Sequence, residues 1–346
     1  MSNKRVIVIT GVAGYWGGRV AARLANEPDT HVIGVDVQPP TEPIKGVDFI
    51  QADIRNPLLV DLFRAEGVDT LCHLAFIDRE QLSESVFDLN VMGTMKILGA
   101  SAEAGVRKIV FKSSTAVYGA RSTNSAFLSE THPLRGSRHS GTIRNLMEIE
   151  SFCKSFGQEH PEVSLTILRF PSIVGPTART PMTRFLYENY APILLGFDPM
   201  MQLIHELDVV EALAYAVEHD IPGAYNIAAE GVMPLSRLVG LAGRFPLPVL
   251  HPVVYWGREV LGNHPRFGRY VPIEPDYLRY PWVADLRRMQ TELDFVPQYT
   301  AEEALREFAG LRRHHDPDSL DDLAFDAERL KDTIERRRRA RSRSES

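Results

Sequence analysis

Short, nearly continuous apolar runs recur through the first half of the chain: RVIVIT (5–10), HVIGVD (31–36), VDFI (47–50), TLCHLAF (70–76), KIVFKSS (108–114) and SLTILRF (164–170), with AYNIAA (224–229) further on. Runs of this length, rich in Val and Ile and lacking strict polar alternation, predict strands covered on both faces. Between them the spacing changes to helical. VAARLAN (20–26), FDLNVMGTMKILGASAEAG (87–105) and NLMEIESFCKSF (145–156) each carry a helical stripe. Strand–helix alternation of this kind implies right-handed crossovers and an α/β fold with a doubly wound parallel sheet of Rossmann type.

After residue 170 the pattern loosens. Prolines gather at Pro171, Pro176, Pro181, Pro192 and Pro199, and DVVEALAYAVEH (208–219) and AEEALREFAGLRR (301–313) stand out as amphipathic helices. The predicted organisation is a nucleotide-binding domain over 1–170, with a returning segment near 203–229. A smaller C-terminal substrate region covers 171–312, and a charged tail covers 313–346.

Composition changes this picture little. The chain has 346 residues, 44% hydrophobic and 24% charged, with a net charge of −6. That is an ordinary globular balance, and the mild acidity argues against bulk nucleic-acid binding. The exception is RRRRARSR (336–343), read as a solvated tail, with a nucleic-acid or anionic-membrane contact as the alternative. Cys72 and Cys153 are too few for a disulfide framework or a zinc site, so no metal is expected and a reducing cytoplasm is the default setting. No apolar run reaches the roughly 18 residues of a membrane helix.

Chemistry enters at TGVAGYWGG (10–18), directly after the first strand. Gly11, Gly14 and Gly17 allow a tight turn and close backbone approach, and the helix start beyond them, with Tyr15 and Trp16, faces its free N–H groups toward a pyrophosphate. Asp36 ends the second strand, where a carboxylate accepts from ribose hydroxyls and repels an additional phosphate. NAD is therefore expected in preference to NADP.

Here the chain resembles the extended short-chain dehydrogenase/reductases, the NAD-dependent epimerase/dehydratase family, with matches in order over roughly 5–310. ADIRN (52–56) resembles the adenine-contacting pair, Asp53 and Ile54. HLAF (73–76) resembles the segment passing the dinucleotide, with Leu74 and Ala75. NVMGT (90–94) places Asn90 as a brace of the active site. KSSTAVYG (112–119) matches the strand carrying the family's catalytic hydroxyl at Ser114. LRFPSIVGP (168–176) and LIHELDVVEA (203–212) resemble the crossover to the substrate region and the return from it. By texture the nearest branch is a set of bacterial proteins similar to UDP-glucose 4-epimerase. The resemblance implies a nucleotide sugar or related hydroxyl compound as substrate. It also implies a homodimer formed through helices 87–104 and 145–156. Arg169, Arg179, Arg184 and His205 are candidate groups on the substrate side.

One motif departs. The family carries Tyr-x-x-x-Lys with Glu four residues later, and RHSGTIRNLMEIE (138–150) has neither Tyr nor Lys. Registered on Glu148, Ser140 stands at the tyrosine and Arg144 at the lysine. Registered on Glu150, Leu146 stands at the lysine, a poorer fit. A phenol can be tuned toward neutral pH by a neighbouring cation, whereas a serine hydroxyl cannot. Arg144 keeps a positive charge for ribose oxygens, with a planar fork in place of a point charge. Three readings stay open. Another group moves the proton, with His139 or Tyr118 the nearest candidates. Alternatively, the protein binds NAD as a sensor, regulator or scaffold without turnover. In the third, substrate or a partner chain supplies the missing group.

Overall fold

The computed structural model describes residues 4–250, 252–254 and 273–313. The charged tail from residue 314 on, with its basic run, lies outside the described residues.

Seven strands form one parallel sheet: β1 (Arg5–Thr10), β2 (Thr30–Asp36), β3 (Val47–Gln51), β4 (Val68–His73), β5 (Lys108–Ser114), β6 (Ser164–Phe170) and β10 (Gly223–Asn226). Their order is β10-β6-β5-β4-β1-β2-β3, and the pairings among them are parallel. The chain reverses its direction of travel across the sheet between β1 and β4. A crevice therefore opens beyond the carboxyl ends of those strands, where open α/β sheets place ligands. The predicted runs coincide with these strands because each lies between two apolar layers. One layer joins α1 (Tyr15–Leu24) and α7 (Glu206–Glu218) to the sheet. The other joins α2 (Leu59–Glu66), α4 (Gly93–Ala104) and α5 (Gly141–Glu159) to its opposite face.

The helical stripe at 87–105 is not one regular helix. It runs through α3 (Glu84–Phe87), a π-helical turn over Asp88–Met92, and then α4. Such turns are frequent at functional sites, and this one carries Asn90.

Beyond β6 the prolines break the alternation into small pieces: β7 (Ser172–Val174), α6 (Pro181–Phe185), β8 (Tyr190–Leu194), β9 (Met200–His205), β11 (Val232–Pro234), α8 (Leu235–Leu241) and β12 (Phe245–Val249). They make a three-stranded sheet, β11-β9-β7, and a two-stranded one, β12-β8. With the helix Ala301–Arg313 they enclose their own core, including Met182, Phe185, Leu203, Leu238 and Leu305.

Candidate active site

The glycine turn has the geometry that only glycines permit. Gly11 sits at φ +74°, and a Cβ there would meet the Ala75 backbone nitrogen at 2.6 Å. A Cβ on Gly17 would lie 2.0 Å from the Gly11 carbonyl oxygen. Gly14 caps α1, and the Gly14 N–H donates to the Gly11 carbonyl at 3.0 Å. Asp36 accepts from the Ala13 N–H at 3.0 Å, so its carboxylate is drawn to the turn. The arrangement fits a dinucleotide: a close-approach turn, a helix N-terminus and a strand-end carboxylate together. Asp53 lies further along this edge, ion-paired with Arg55 at 2.7 Å, and the guanidinium holds its carboxyl below the usual range. Ile54 is buried against Gly93, where a Cβ would come within 2.7 Å of its side chain.

A buried polar chain fixes the segment that follows β4. Thr10 Oγ1 contacts His73 Nδ1 at 2.7 Å, and His73 Nε2 contacts Thr94 Oγ1 at 2.9 Å. Burial pushes the His73 pKa down to about 4, which keeps the ring neutral. Thr94 donates to the Asn90 carbonyl at 2.5 Å. Asn90 accepts from the Ile77 N–H at 2.8 Å and donates to the Ile77 carbonyl at 2.9 Å. Asn90 is thus a two-bond brace on Ile77, while Thr10 accepts from the Leu74 and Ala75 N–H groups and holds them beside Gly11.

The start of α5 is occupied by the chain itself. Ser140 is fully buried and caps the helix, accepting from the Ile143 N–H at 3.3 Å, while its own O–H donates to Glu80 at 2.7 Å. The Gly141 N–H donates to the Glu80 carbonyl at 2.7 Å, and Thr142 donates to Asp78 at 2.6 Å. A loop bearing two carboxylates is therefore docked on this N-terminus, where negative charge is favoured. Burial, with Asp78 and Glu274 nearby, raises the Glu80 pKa, and the Ser140 bond and Arg184 oppose the rise. Arg144 lies half-buried with its guanidinium 5.0 Å from the Phe87 ring centroid.

Two glutamates on α5 fit the motif spacing, and their surroundings differ. Glu148 is half-buried, whereas Glu150 is buried with Arg169 Nη2 at 2.5 Å and Ser113 donating to it at 2.5 Å. The Glu150 register, with Leu146 at the lysine and Thr142 at the tyrosine, gains weight from this contact. In either register α5 offers neither a phenol nor an amine on its first turns.

Ser114 ends β5, half-buried, and accepts from the Ala116 N–H at 3.2 Å. Its own O–H has no acceptor among the described residues. Behind the strand, Arg169 and Tyr118 belong to a closed network. Arg169 donates to Tyr118 Oη at 2.7 Å and to the Glu130 carbonyl, and Tyr118 donates to Asn226 at 2.7 Å. Burial raises the Tyr118 pKa to about 12. Both residues serve the body of the protein, so neither is placed to take a substrate proton. His205 likewise caps α7 and stacks on Tyr299 with centroids 3.8 Å apart, fully buried.

His139 is exposed on an open groove of about 1680 Å³, lined also by Arg138, Glu148, Lys154 and Glu274. Neither Ser114 nor Ser140 lines that groove. Arg179 and Arg184 are exposed near α6. Tyr15 is turned toward the substrate region. Its hydroxyl contacts Thr177 and donates to Glu206, and the Arg19 guanidinium lies 3.9 Å from its ring centroid.

Sequence reasoning missed Asp78, Glu80 and Lys112. Lys112 alone carried a readable signal: a charge inside an apolar strand, two positions before Ser114 and so on the same face.

The crevice, its glycine turn and the strand order define a dinucleotide-binding α/β protein. The profile of the NAD dependent epimerase/dehydratase family matches residues 7–228, and the chain belongs to that family. An uncharacterized protein of Mycobacterium tuberculosis strain H37Rv is 33% identical over 316 residues, covering 88% of this chain and 83% of its own. Among solved structures, UDP-glucose 4-epimerase of Thermotoga maritima with UDP-glucose superposes with a TM-score of 0.69 at 19% identity, over 90% of this chain and 99% of that one. UDP-glucose 4-epimerase of Thermus thermophilus with NAD gives 0.67 at 20% identity, over 89% and 99%. These likenesses establish the fold. Among the described residues no helix is long and apolar enough to cross a membrane.

Proposed function

We propose that the chain is an NAD-dependent oxidoreductase acting on a nucleotide sugar or a related hydroxyl or carbonyl compound. The observation that carries this reading is Ser114. Its uncommitted O–H stands at the carboxyl end of β5, beside an intact dinucleotide cradle. Gly11, Gly14 and Gly17 admit the pyrophosphate, and the N–H groups of Tyr15 and Trp16 face it. Asp36 takes the ribose, Asp53 and Ile54 the adenine, and Leu74, Ala75 and Asn90 wall the middle of the path. Bound NAD would supply hydride exchange, and Ser114 would hydrogen-bond the reacting oxygen and polarise it. Arg179 and Arg184 offer charge to a diphosphate. Pairing of two copies through α4 and α5 belongs to the same proposal, as does a cytoplasmic setting.

A second reading, an NAD-binding regulator or scaffold without turnover, is favoured by one observation. The first turn of α5 carries no phenol or amine, and Asp78 and Glu80 hold it. One experiment separates the two. Purified protein is assayed for bound nucleotide, and the absorbance of reduced cofactor is followed with a panel of UDP- and dTDP-sugars. Sugar-dependent reduction, or conversion of a sugar followed by chromatography with NAD regenerated, supports the oxidoreductase, whereas tight NAD binding with neither across the panel supports the regulator. In the same preparation calorimetry should show NAD preferred over NADP, and Asp36→Ala should narrow the gap. Equal affinity in the wild type would remove Asp36 from the ribose.

A further inference from the structure

Strand β5 alternates at its end. Ser113 is buried and bonded to Glu150, while Lys112 and Ser114 turn to the other face and are half-buried. Lys112 Nζ lies 5.2 Å from the centroid of the Trp16 ring and 6.0 Å from that of Phe170. One ring comes from the first turn of α1, beside the glycine turn, and the other from the end of β6. The ammonium therefore lies between the first turn of α1, beside the glycine turn, and the end of β6, on the face of β5 that also carries Ser114.

A lysine stem lying along aromatic surface is ordinary, but its head then reaches water or a carboxylate. Among the described residues no carboxylate stands within ion-pair distance of Lys112. Of the charged groups around it, Asp78 on the loop after β4 is the one that acts on it, and Asp78 already accepts from Thr142. Tyr15, Arg19 and Glu206, beside Trp16, are engaged through Thr177 and with one another. Glu150 and Arg169, behind the strand, are paired.

We propose that Lys112 is the proton carrier of this crevice, accepting the substrate's hydroxyl proton in place of the phenol that α5 lacks. The inference rests on the oxidoreductase reading above. In the forward step the O–H bond of a secondary alcohol breaks and its proton passes to neutral Lys112 Nζ. The C–H bond of the same carbon breaks as a hydride leaves for the nicotinamide ring. The alcohol is oxidised to a ketone, NAD⁺ is reduced to NADH, and the ammonium returns the proton in the reverse step. Ser114 hydrogen-bonds the oxygen throughout. Desolvation pushes the Lys112 pKa down to about 8, with Asp78 opposing the fall, so a neutral amine is accessible near physiological pH.

The rival role for a cation here is a pyrophosphate anchor, and cofactor binding alone tells the two apart. NAD⁺ carries a positive nicotinamide ring and NADH a neutral one, while their phosphates are the same. Calorimetry and NADH fluorescence on the full chain would give both dissociation constants from pH 7 to pH 9. The charged amine repels the oxidised ring, so the ratio Kd(NAD⁺)/Kd(NADH) should fall by about tenfold as pH rises through 8, the factor for a one-unit displacement of the Lys112 pKa. Lys112→Met should give a low ratio that does not vary with pH, and Lys112→Arg a high one that does not vary. Should Lys112→Met fail to fold, Lys112→Arg alone carries the comparison.

A flat ratio in the wild type would overturn the proposal. So would affinities for both cofactors that weaken together as pH rises, which is the behaviour of a phosphate anchor. Failure of every sugar to be converted, with or without net cofactor reduction, would instead remove the oxidoreductase reading, and it would leave the pH dependence of the ratio standing.

Discussion

The glycine turn after β1 and the first turn of α5 are the two places where the family's motifs fall, yet they carry different things. At the turn the constraints of a dinucleotide site are present and lie mostly in the backbone, a positive φ at Gly11 and a 2.0 Å approach at Gly17, with one side chain beside them, the Asp36 carboxylate bonded to the Ala13 N–H. At α5 the backbone is equally well formed, with Ser140 as cap and Gly141 admitting the loop 79–81. What has gone is side-chain chemistry. Cofactor recognition written in backbone geometry is vulnerable to substitution chiefly at its glycines. Proton transfer depends on one functional group, which another strand can supply if it reaches the same space.

The largest effect expected from this contrast is at Gly17. In Gly17→Ala the new Cβ meets the Gly11 carbonyl, and the turn must open to accommodate it. A distortion on the order of 3 kcal/mol at the phosphate contacts is worth about 100-fold in Kd. Calorimetry with NAD should show at least that loss, with far-ultraviolet circular dichroism unchanged. Retained affinity would mean that the dinucleotide does not use this turn.

The start of α5 should behave in the opposite way. Ser140→Ala removes a helix cap and the donor that Glu80 uses, so stability should fall by about 1–2 kcal/mol. NAD affinity should stay within about twofold, since an untouched cradle gives no reason for a larger change. Urea unfolding and calorimetry on one preparation measure both. A loss of NAD affinity without a loss of stability would return Ser140 to the nicotinamide and favour the Glu148 register.

Much of this division was legible in the chain, and the remainder was hidden for physical reasons. Seven near-continuous apolar runs gave the sheet because a strand covered on both faces has no alternation to disguise it. The turn was legible because glycine marks backbone need directly. Tyr118, Arg169 and His205 looked like site residues because a sequence shows a titratable group without its partner. Folding supplies Asn226, Glu150 and Tyr299, and the groups are spent on structure. The small sheets of the second half were not foreseen. Strands of three to six residues broken by proline carry too little pattern to register. Lys112 lies on β5, outside the family's motif on α5, so the motif does not point to it.

The smallest expected effect tests the last member of the missing motif. Registered on Glu148, Arg144 takes the lysine position and would hold the nicotinamide ribose. The structure instead seats its guanidinium over Phe87, which directly precedes the π-helical turn that carries Asn90. A cation on an aromatic face at a half-exposed site contributes about 0.5–1 kcal/mol. Arg144→Met keeps most of the apolar stem on the ring and removes the charge. It should lower stability by about 0.5–1 kcal/mol, the range of that contact. NAD affinity should change by less than about threefold, because a ribose contact would cost two charge-assisted hydrogen bonds and at least tenfold. A drop of tenfold or more, with stability unchanged, would put the guanidinium on the ribose. Ligand binding would then lift Arg144 from Phe87. The crevice would hold two cations, Arg144 on the cofactor and Lys112 at the reacting oxygen, and its chemistry would be divided between α5 and β5.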